Sequence, residues 1–346
     1  MALRKDRQAQ PGSDTAGRPT SYDVAKLAGV SQSAVSRCFR PGLSIAPKTR
    51  ARVLEAAQAL GYYPNAMASG LITKRSNIVA VLISNLTNLY YPEVLAEITR
   101  RLSDANIRVL LFALQAESDV EKILDQVWRY RVDGAIVAAL LTPEKLRDFA
   151  KHHVPVVLYN RTGEDEAVAS VCCDSKAGER QLVDKLVAAG HCHFGIIAGP
   201  EDSFVSQTRV QGAMQRLNEL GHTAHVATGA FDYQSGAIGL KHLRRRTGDK
   251  LDALICANDL MAIGAVDCAR HELGLRIPED LSVVGFDGVA PAQWSSYRLS
   301  TVRQPVGRMT EAAVAMIIER IEDPTLPPET RSFAGTLIAG SSARLK

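Results

Sequence analysis

The chain of 346 residues predicts a small helical head carrying a helix-turn-helix, followed by a hinge and a large α/β body of two lobes. Three observations predict it. Short helical patterns broken by Gly and Pro fill residues 20–64. From Asn77 onward, apolar strand-like runs alternate with amphipathic helical stretches, the signature of βαβ units and parallel sheets. The charge is split unevenly: residues 1–76 hold 12 Lys/Arg against 4 Asp/Glu, so the remaining residues carry −4 of the net +4. A basic head on a mildly acidic body points to a polyanion partner for the head alone.

Residues 1–19 are polar and charged, without apolar periodicity, and read as a flexible tail. In the head, 20–64, Val24, Leu27 and Ala28 share one face of a first helix that Gly29 stops. Ser31 is placed to cap a second helix burying Val35 and Phe39. Pro41-Gly42 breaks the chain. Pro47 suits the first turn of a third helix, with Val53, Leu54, Ala57 and Leu60 inward and Gly61 as its stop. Residues 65–76 read as hinge and linker. Asn65–Thr73 contains good helix formers but also Gly70 and little to bury, so it would hold a helix only with something packed against it.

The body, 77–346, begins with a strand at Ile78–Ser84, a helix at Tyr91–Asn106 and a strand at Ile107–Leu114. Further strands are expected at Gly134–Ala139, Val154–Tyr159, Phe194–Ala198, Ala253–Cys256 and Ser282–Phe286. So much chain exceeds one comfortable sheet, hence two lobes, with a ligand in the cleft at the carboxyl ends of strands.

Several function classes drop out. Apolar runs fall short of the ~18 residues that cross a bilayer, and Met1–Gly17 has no secretory h-region, so a cytoplasmic protein without a membrane partner is expected. The six cysteines form no CxxC pair, which argues against zinc or a disulfide framework. His191-Cys192-His193 and His152-His153 read as incidental rather than metal-binding, and no metal is expected. There is no GxGxxG, Walker A, GxSxG or HExxH, so no catalytic residue, enzyme activity or cofactor is expected. A solute-binding protein is the weaker alternative, since it would need export.

Within Ser21–Arg40, helix, Gly-containing turn and helix fit a helix-turn-helix whose second helix lies in a major groove. Ser31, at its start, and Gln32, Ser33, Ser36 and Arg37 would face base edges, Gln suiting adenine and Arg guanine. Tyr22, Lys48, Thr49 and Arg50 suit phosphates. The expected partner is double-stranded DNA.

The run SYDVAKLAGVSQSAVSR over Ser21–Arg37, with Lys48-Thr49-Arg50, Leu60-Gly61-Tyr62-Tyr63-Pro64-Asn65, Ala257-Asn258-Asp259 and Leu281–Asp287, resembles the LacI/GalR family of bacterial transcriptional repressors over about residues 20–346. The resemblance implies that Gln32 and Ser33 set operator preference and that Arg37 reads a G·C pair. It also implies that Asn65, Ala68 and Leu71 belong to a hinge helix whose leucine wedges into the minor groove at the operator centre. Ala46 departs from the capping Ser often found there.

For the body, the resemblance implies a periplasmic-binding-protein-like fold that binds a small-molecule effector: a sugar, sugar acid or sugar phosphate, or alternatively a purine-type corepressor. Crossovers are expected near Cys172–Asp174, Thr301–Gln304 and Pro324–Pro328. They give a first lobe of about 77–172 and 302–324 and a second of about 173–301 and 325–346. Candidates for the effector are Tyr90 and Tyr91 after the first strand, Asn160 and Arg161 after Val154–Tyr159, Arg209, and Asn258, Asp287 and Trp294, each of these three on or just after a strand's carboxyl end. Arg209 and Asp287 match positions that hold ligand in relatives. Arg161 and Arg209 together would favour an anionic effector. Asp259 reads as the cap of a helix Leu260–Arg270. Two half-sites call for two heads, so a homodimer is expected, with Pro92–Asn106 contributing and no leucine-heptad extension to make tetramers.

Overall fold

The computed structural model describes residues 18–40, 43–64, 75–114, 119–162 and 168–346. The chain divides into two compact units, Met1–Ser76 and Asn77–Lys346.

In the first unit, Thr20 opens α1 (Ser21–Ala28) with a reciprocal capping box: its hydroxyl accepts from the Asp23 amide, and the Asp23 carboxylate accepts from the Thr20 amide. Gly29 closes the helix at φ 60°, a left-handed conformation that suits glycine. Ser31 caps α2 (Gln32–Cys38) by accepting from the Ala34 amide. Ala46 offers α3 (Pro47–Leu60) no side-chain cap, and Pro47 makes the start. Val24, Val35, Val53 and Ala57 form the core. Leu27 and Leu54 do not join it, being 57% and 45% exposed; the small Ala25 and Ala56 take inward positions instead. Arg52, on α3, donates to the carbonyls of Ala28 and Gly29 and so ties the third helix to the turn.

The second unit holds two sheets. The first contains β1 (Ile78–Ser84), β2 (Arg108–Leu114), β3 (Gly134–Ala138), β4 (Val156–Tyr159), β5 (Ala169–Cys173) and β11 (Thr330–Phe333), in the order β11-β5-β4-β3-β1-β2, all parallel. The second contains β6 (Phe194–Ala198), β7 (Ala224–Thr228), β8 (Ala253–Cys256), β9 (Ser282–Asp287), β10 (Ser300–Arg303) and β12 (Thr336–Ile338), in the order β12-β10-β9-β8-β6-β7. Its pairings are parallel except β10 with β12. The helices between strands are α4 (Tyr90–Asp104), α5 (Val120–Arg129), α6 (Pro143–Lys151), α7 (Ser175–Ala188), α8 (Phe204–Glu219), α9 (Tyr233–Thr247), α10 (Asp259–Asp267) and α11 (Val306–Glu322). β1, β3, β6, β8 and β9 are buried almost end to end, as strands covered on both faces must be. No helix among the described residues is long and apolar enough to cross a membrane.

The chain passes between sheets three times: from β5 into α7 at Asp174, from β10 into α11 at Gln304-Pro305, and from β11 to β12 at Ala334-Gly335. The last corrects the expected third crossover at Pro324–Pro328, and with it the assignment of 325–346 to the second lobe. The carbonyls of Leu326 and Pro327 accept from Arg320 at the end of α11, which holds that stretch on the first lobe. Thr330–Phe333 then pairs with β5, Thr330 opposite Ser170.

Candidate functional site

On α2, Ser33 and Arg37 are exposed and Gln32 and Ser36 half-buried. Spaced at i, i+1, i+4 and i+5, they share one side of the helix. Their present bonds are local. The Ser31 and Ser33 hydroxyls lie 2.9 Å apart, Gln32 Nε2 donates to Ser21 Oγ at 3.3 Å, and Arg37 Nε donates to the Ser33 carbonyl at 3.4 Å. Tyr22 is 72% exposed. Lys48 and Arg50 are exposed and Thr49 half-buried at the start of α3, where free amides suit a phosphate. Asn65, Ala68 and Leu71 lie outside the described residues.

In the second unit, a pocket opens between the lobes. The first lobe lines it with Ser84, Asn85, Asn88, Tyr90, Tyr91 and Asn160, the second with Ser203, Val205, Arg209, Phe231 and Asp287. These residues lie at strand carboxyl ends or in the segments that follow, where open α/β sheets bind ligands.

At the second lobe's side, Arg209 is 2% exposed and bonded through both terminal nitrogens. Nη2 donates to Asp287 Oδ1 at 2.7 Å and Nη1 to the Ala257 carbonyl at 2.5 Å, and the guanidinium lies 3.9 Å over the Phe286 ring. Gln304 Nε2 donates to the same Asp287 oxygen at 2.8 Å. Burial pushes the Asp287 carboxyl up, against the pull of Arg209, while Asp287 holds the arginine firmly charged. On the first lobe's side, the hydroxyls of Tyr90 and Tyr159 meet at 3.3 Å. Burial pushes both phenols up, so they serve as neutral hydrogen-bonding groups. Asn88 Oδ1 accepts from the Tyr90 amide and so fixes the start of α4.

Five of the eight expected effector residues, Tyr90, Tyr91, Asn160, Arg209 and Asp287, line this pocket. Three do not. Asn258 is spent on structure: its Oδ1 accepts from the Met261 amide as the cap of α10 and its Nδ2 donates to the Phe231 carbonyl. Asp259, expected to be that cap, instead accepts from Thr301 Oγ1 and the Val289 amide. Trp294 ends a 3-10 turn and is 60% exposed, off the wall. Arg161 is buried beside Asn160 but is not part of the wall. Sequence reasoning passed over Ser84, which ends the first strand, Asn85 and Asn88, which come just after it, and Ser203 and Phe231 in the second lobe.

Residues 20–65 match the family model for bacterial regulatory proteins, lacI family, and residues 183–343 match that of a periplasmic binding protein-like domain. The chain is 31% identical over 334 residues to the HTH-type transcriptional regulator AscG of Escherichia coli (strain K12), which covers 93% of this chain and 98% of that one. Among solved structures it is similar to the transcriptional regulator CelR–cellobiose complex, with a TM-score of 0.71, 29% identity and 94% of this chain and 100% of that chain covered. It is also similar to the lac repressor dimer bound to operator and the anti-inducer ONPF, with a TM-score of 0.84, 25% identity and 94% and 99% covered.

Proposed function

The chain belongs to the lacI family of bacterial regulatory proteins, and from that premise we propose that this DNA-binding regulator is a homodimeric repressor of carbohydrate-metabolism genes. An uncharged sugar in the interlobe pocket releases it from a palindromic operator. Gln32, Ser33 and Arg37 read bases, with Ser31 and Ser36 beside them, while Tyr22, Lys48 and Thr49 hold phosphates. Asn65, Ala68 and Leu71 form the hinge contact.

The observation that carries the effector class is the Arg209–Asp287 pair. A cation and an anion 2.7 Å apart on one wall leave no net charge for a sugar acid or phosphate, and Arg161 is not on the wall to add one. Hydroxyls, by contrast, both donate and accept, which matches Asp287, Arg209, Asn160, Asn88 and Tyr90 together. The relative solved with cellobiose favours a carbohydrate over a purine.

A thermal-shift panel of neutral monosaccharides, sugar acids, sugar phosphates and nucleobases tests this. A ligand at 100 times its Kd adds about 2.7 kcal/mol of stability. A shift with a neutral sugar supports the reading. A shift confined to sugar acids, phosphates or nucleobases refutes it. Repeating a hit with operator DNA gives the sign of control, and tighter DNA binding would make the sugar a corepressor.

A further inference from the structure

Glu179, in α7, is a carboxylate that the effector reading does not use. It is 1% exposed, and neither oxygen has a hydrogen-bond partner among the described residues. Two glycines explain its placement. A Cβ on Gly212 would lie 3.0 Å from the Lys176 Cα and 3.4 Å from the Glu179 Cβ, so the bare glycine lets α7 press onto α8. Gly212 is three residues on from Arg209, which brings Glu179 in beside the arginine. A Cβ on Gly178 would lie 2.9 Å from the Phe286 ring, so α7 also closes over the ring on which the guanidinium rests. Arg209 therefore has two carboxylate neighbours, Asp287 on the pocket wall and Glu179 off it. Its Nε–H has no hydrogen-bond acceptor among the described residues.

We propose that Glu179 competes with Asp287 for Arg209: while it carries its proton the guanidinium stays on Asp287 at the pocket wall, and when it loses the proton it draws the guanidinium back through Nε–H and disarms the pocket. The inference rests on reading that pocket as the effector site.

Burial holds the Glu179 carboxyl up at about 8, with Arg209 pulling it down and Asp287 pushing it further up. The groups facing it are Arg209 from α8, Asp287 from β9 and Cys256 from β8, whose thiol burial pushes up, with Lys176 on its own helix. Of these, Arg209 is the cation whose charge bears on it, so an ionised Glu179 has one partner to turn to. A sugar that binds through Arg209 and Asp287 selects the protonated form, and by linkage it holds the proton on. Glu179 is a positioning residue, since it acts on the ligand through Arg209.

The test compares full-length wild type with Glu179→Gln, whose amide mimics the protonated acid. Crystal structures near pH 6.5 and near pH 9.5 bracket the carboxyl's titration. In wild type at the higher pH, Arg209 Nε is expected within about 3 Å of a Glu179 oxygen; in the variant the guanidinium stays on Asp287 at both. An arginine that does not move in wild type overturns the proposal whatever the ligand. D-glucose, D-galactose and D-ribose are then titrated by thermal shift as probes. For one that binds, the apparent affinity of wild type falls up to about tenfold per pH unit above about 8, and that of the variant stays level. Equal binding by wild type across that range also overturns it. If the arginine moves but no probe binds at any pH, the exchange between carboxylates stands and the effector reading of the pocket fails.

Discussion

Asp287 meets three demands at once. Its backbone sits at φ 117°, a region that side-chain-bearing residues rarely adopt and that clusters at functional sites. Its carbonyl accepts from the Gln304 amide at 3.1 Å, across from β9 to the crossover into α11. Its carboxylate answers the buried Arg209 charge. Asp287→Ala removes the carboxylate on which the buried guanidinium rests, and the body is expected to lose stability, but less than the ~3–5 kcal/mol of a buried charge left unpaired, because Glu179 stands beside Arg209 as a second carboxylate; the loss is read as a lower midpoint in urea. Melting with wild type would show that the pair does not hold the fold. On the head, two exposed cations separate by role. Arg37→Ala is expected to cost about 1–3 kcal/mol at one base pair and relax preference there. Lys48→Gln is expected to weaken all duplexes alike and to reduce the salt slope of binding by about 1. Selection from a random duplex pool separates them, since an unchanged preference at every position in the Arg37 variant rules out base reading by that residue.

At the scale of elements, glycines decide how closely helices approach. A Cβ on Gly264 in α10 would lie 1.9 Å from the Tyr233 carbonyl oxygen, and one on Gly236 in α9 2.0 Å from that of Met261. Each helix rests on the other's backbone, which no rotamer change relieves. Gly264→Ala is therefore expected to cost more than the ~1–3 kcal/mol of ordinary overpacking. Gly307→Ala, in α11 with nothing within 4 Å of the new methyl, is expected to gain about 0.4–1 kcal/mol. Chemical denaturation of both variants checks the contrast, and equal effects would mean that α9 and α10 can slide apart. The same scale explains what the sequence could reveal. Apolar runs such as Ile78–Ser84 and Phe194–Ala198 read as strands because both faces are buried. β7 (AHVAT), β10 (STVR), β11 (TRSF) and β12 (TLI) are short, and most mix polar with apolar residues. No periodicity betrays them, and with β11 hidden the third crossover reads too early, at Pro324–Pro328. Asn258 and Asp259 are adjacent residues with equal capping chemistry, so only the reach of Asp259 to Thr301 and Val289 tells them apart. Glu179 looks in sequence like any solvated helix position; its burial comes from Gly178 and Gly212, whose meaning appears only when α7 meets α8.

For the molecule as a whole, the split of charge gives each unit its own partner. The +8 of residues 1–76 draws DNA, and the −4 of the rest does not. A regulator needs more than two binding units on one chain; it needs a coupling free energy between them. If an effector changes operator affinity by some factor, the operator must change effector affinity by the same factor, because both routes connect the same four states. Taking an operator obtained by selection and the neutral sugar that gives the largest thermal shift, both factors can be measured on the full-length protein. They are expected to agree and to fall within the usual 5–150-fold, about 1–3 kcal/mol, with the sugar weakening DNA binding. A factor of one in both directions would mean that the pocket binds sugar without reporting it to the head, and the regulatory reading of the pocket would fall. Unequal factors would point to a third linked equilibrium, of which dimerisation is the natural one, since only a pair of heads spans two half-sites. Repeating the titrations over a range of protein concentrations separates that case, because a dimerisation linkage changes with concentration and a coupling confined to an intact dimer does not.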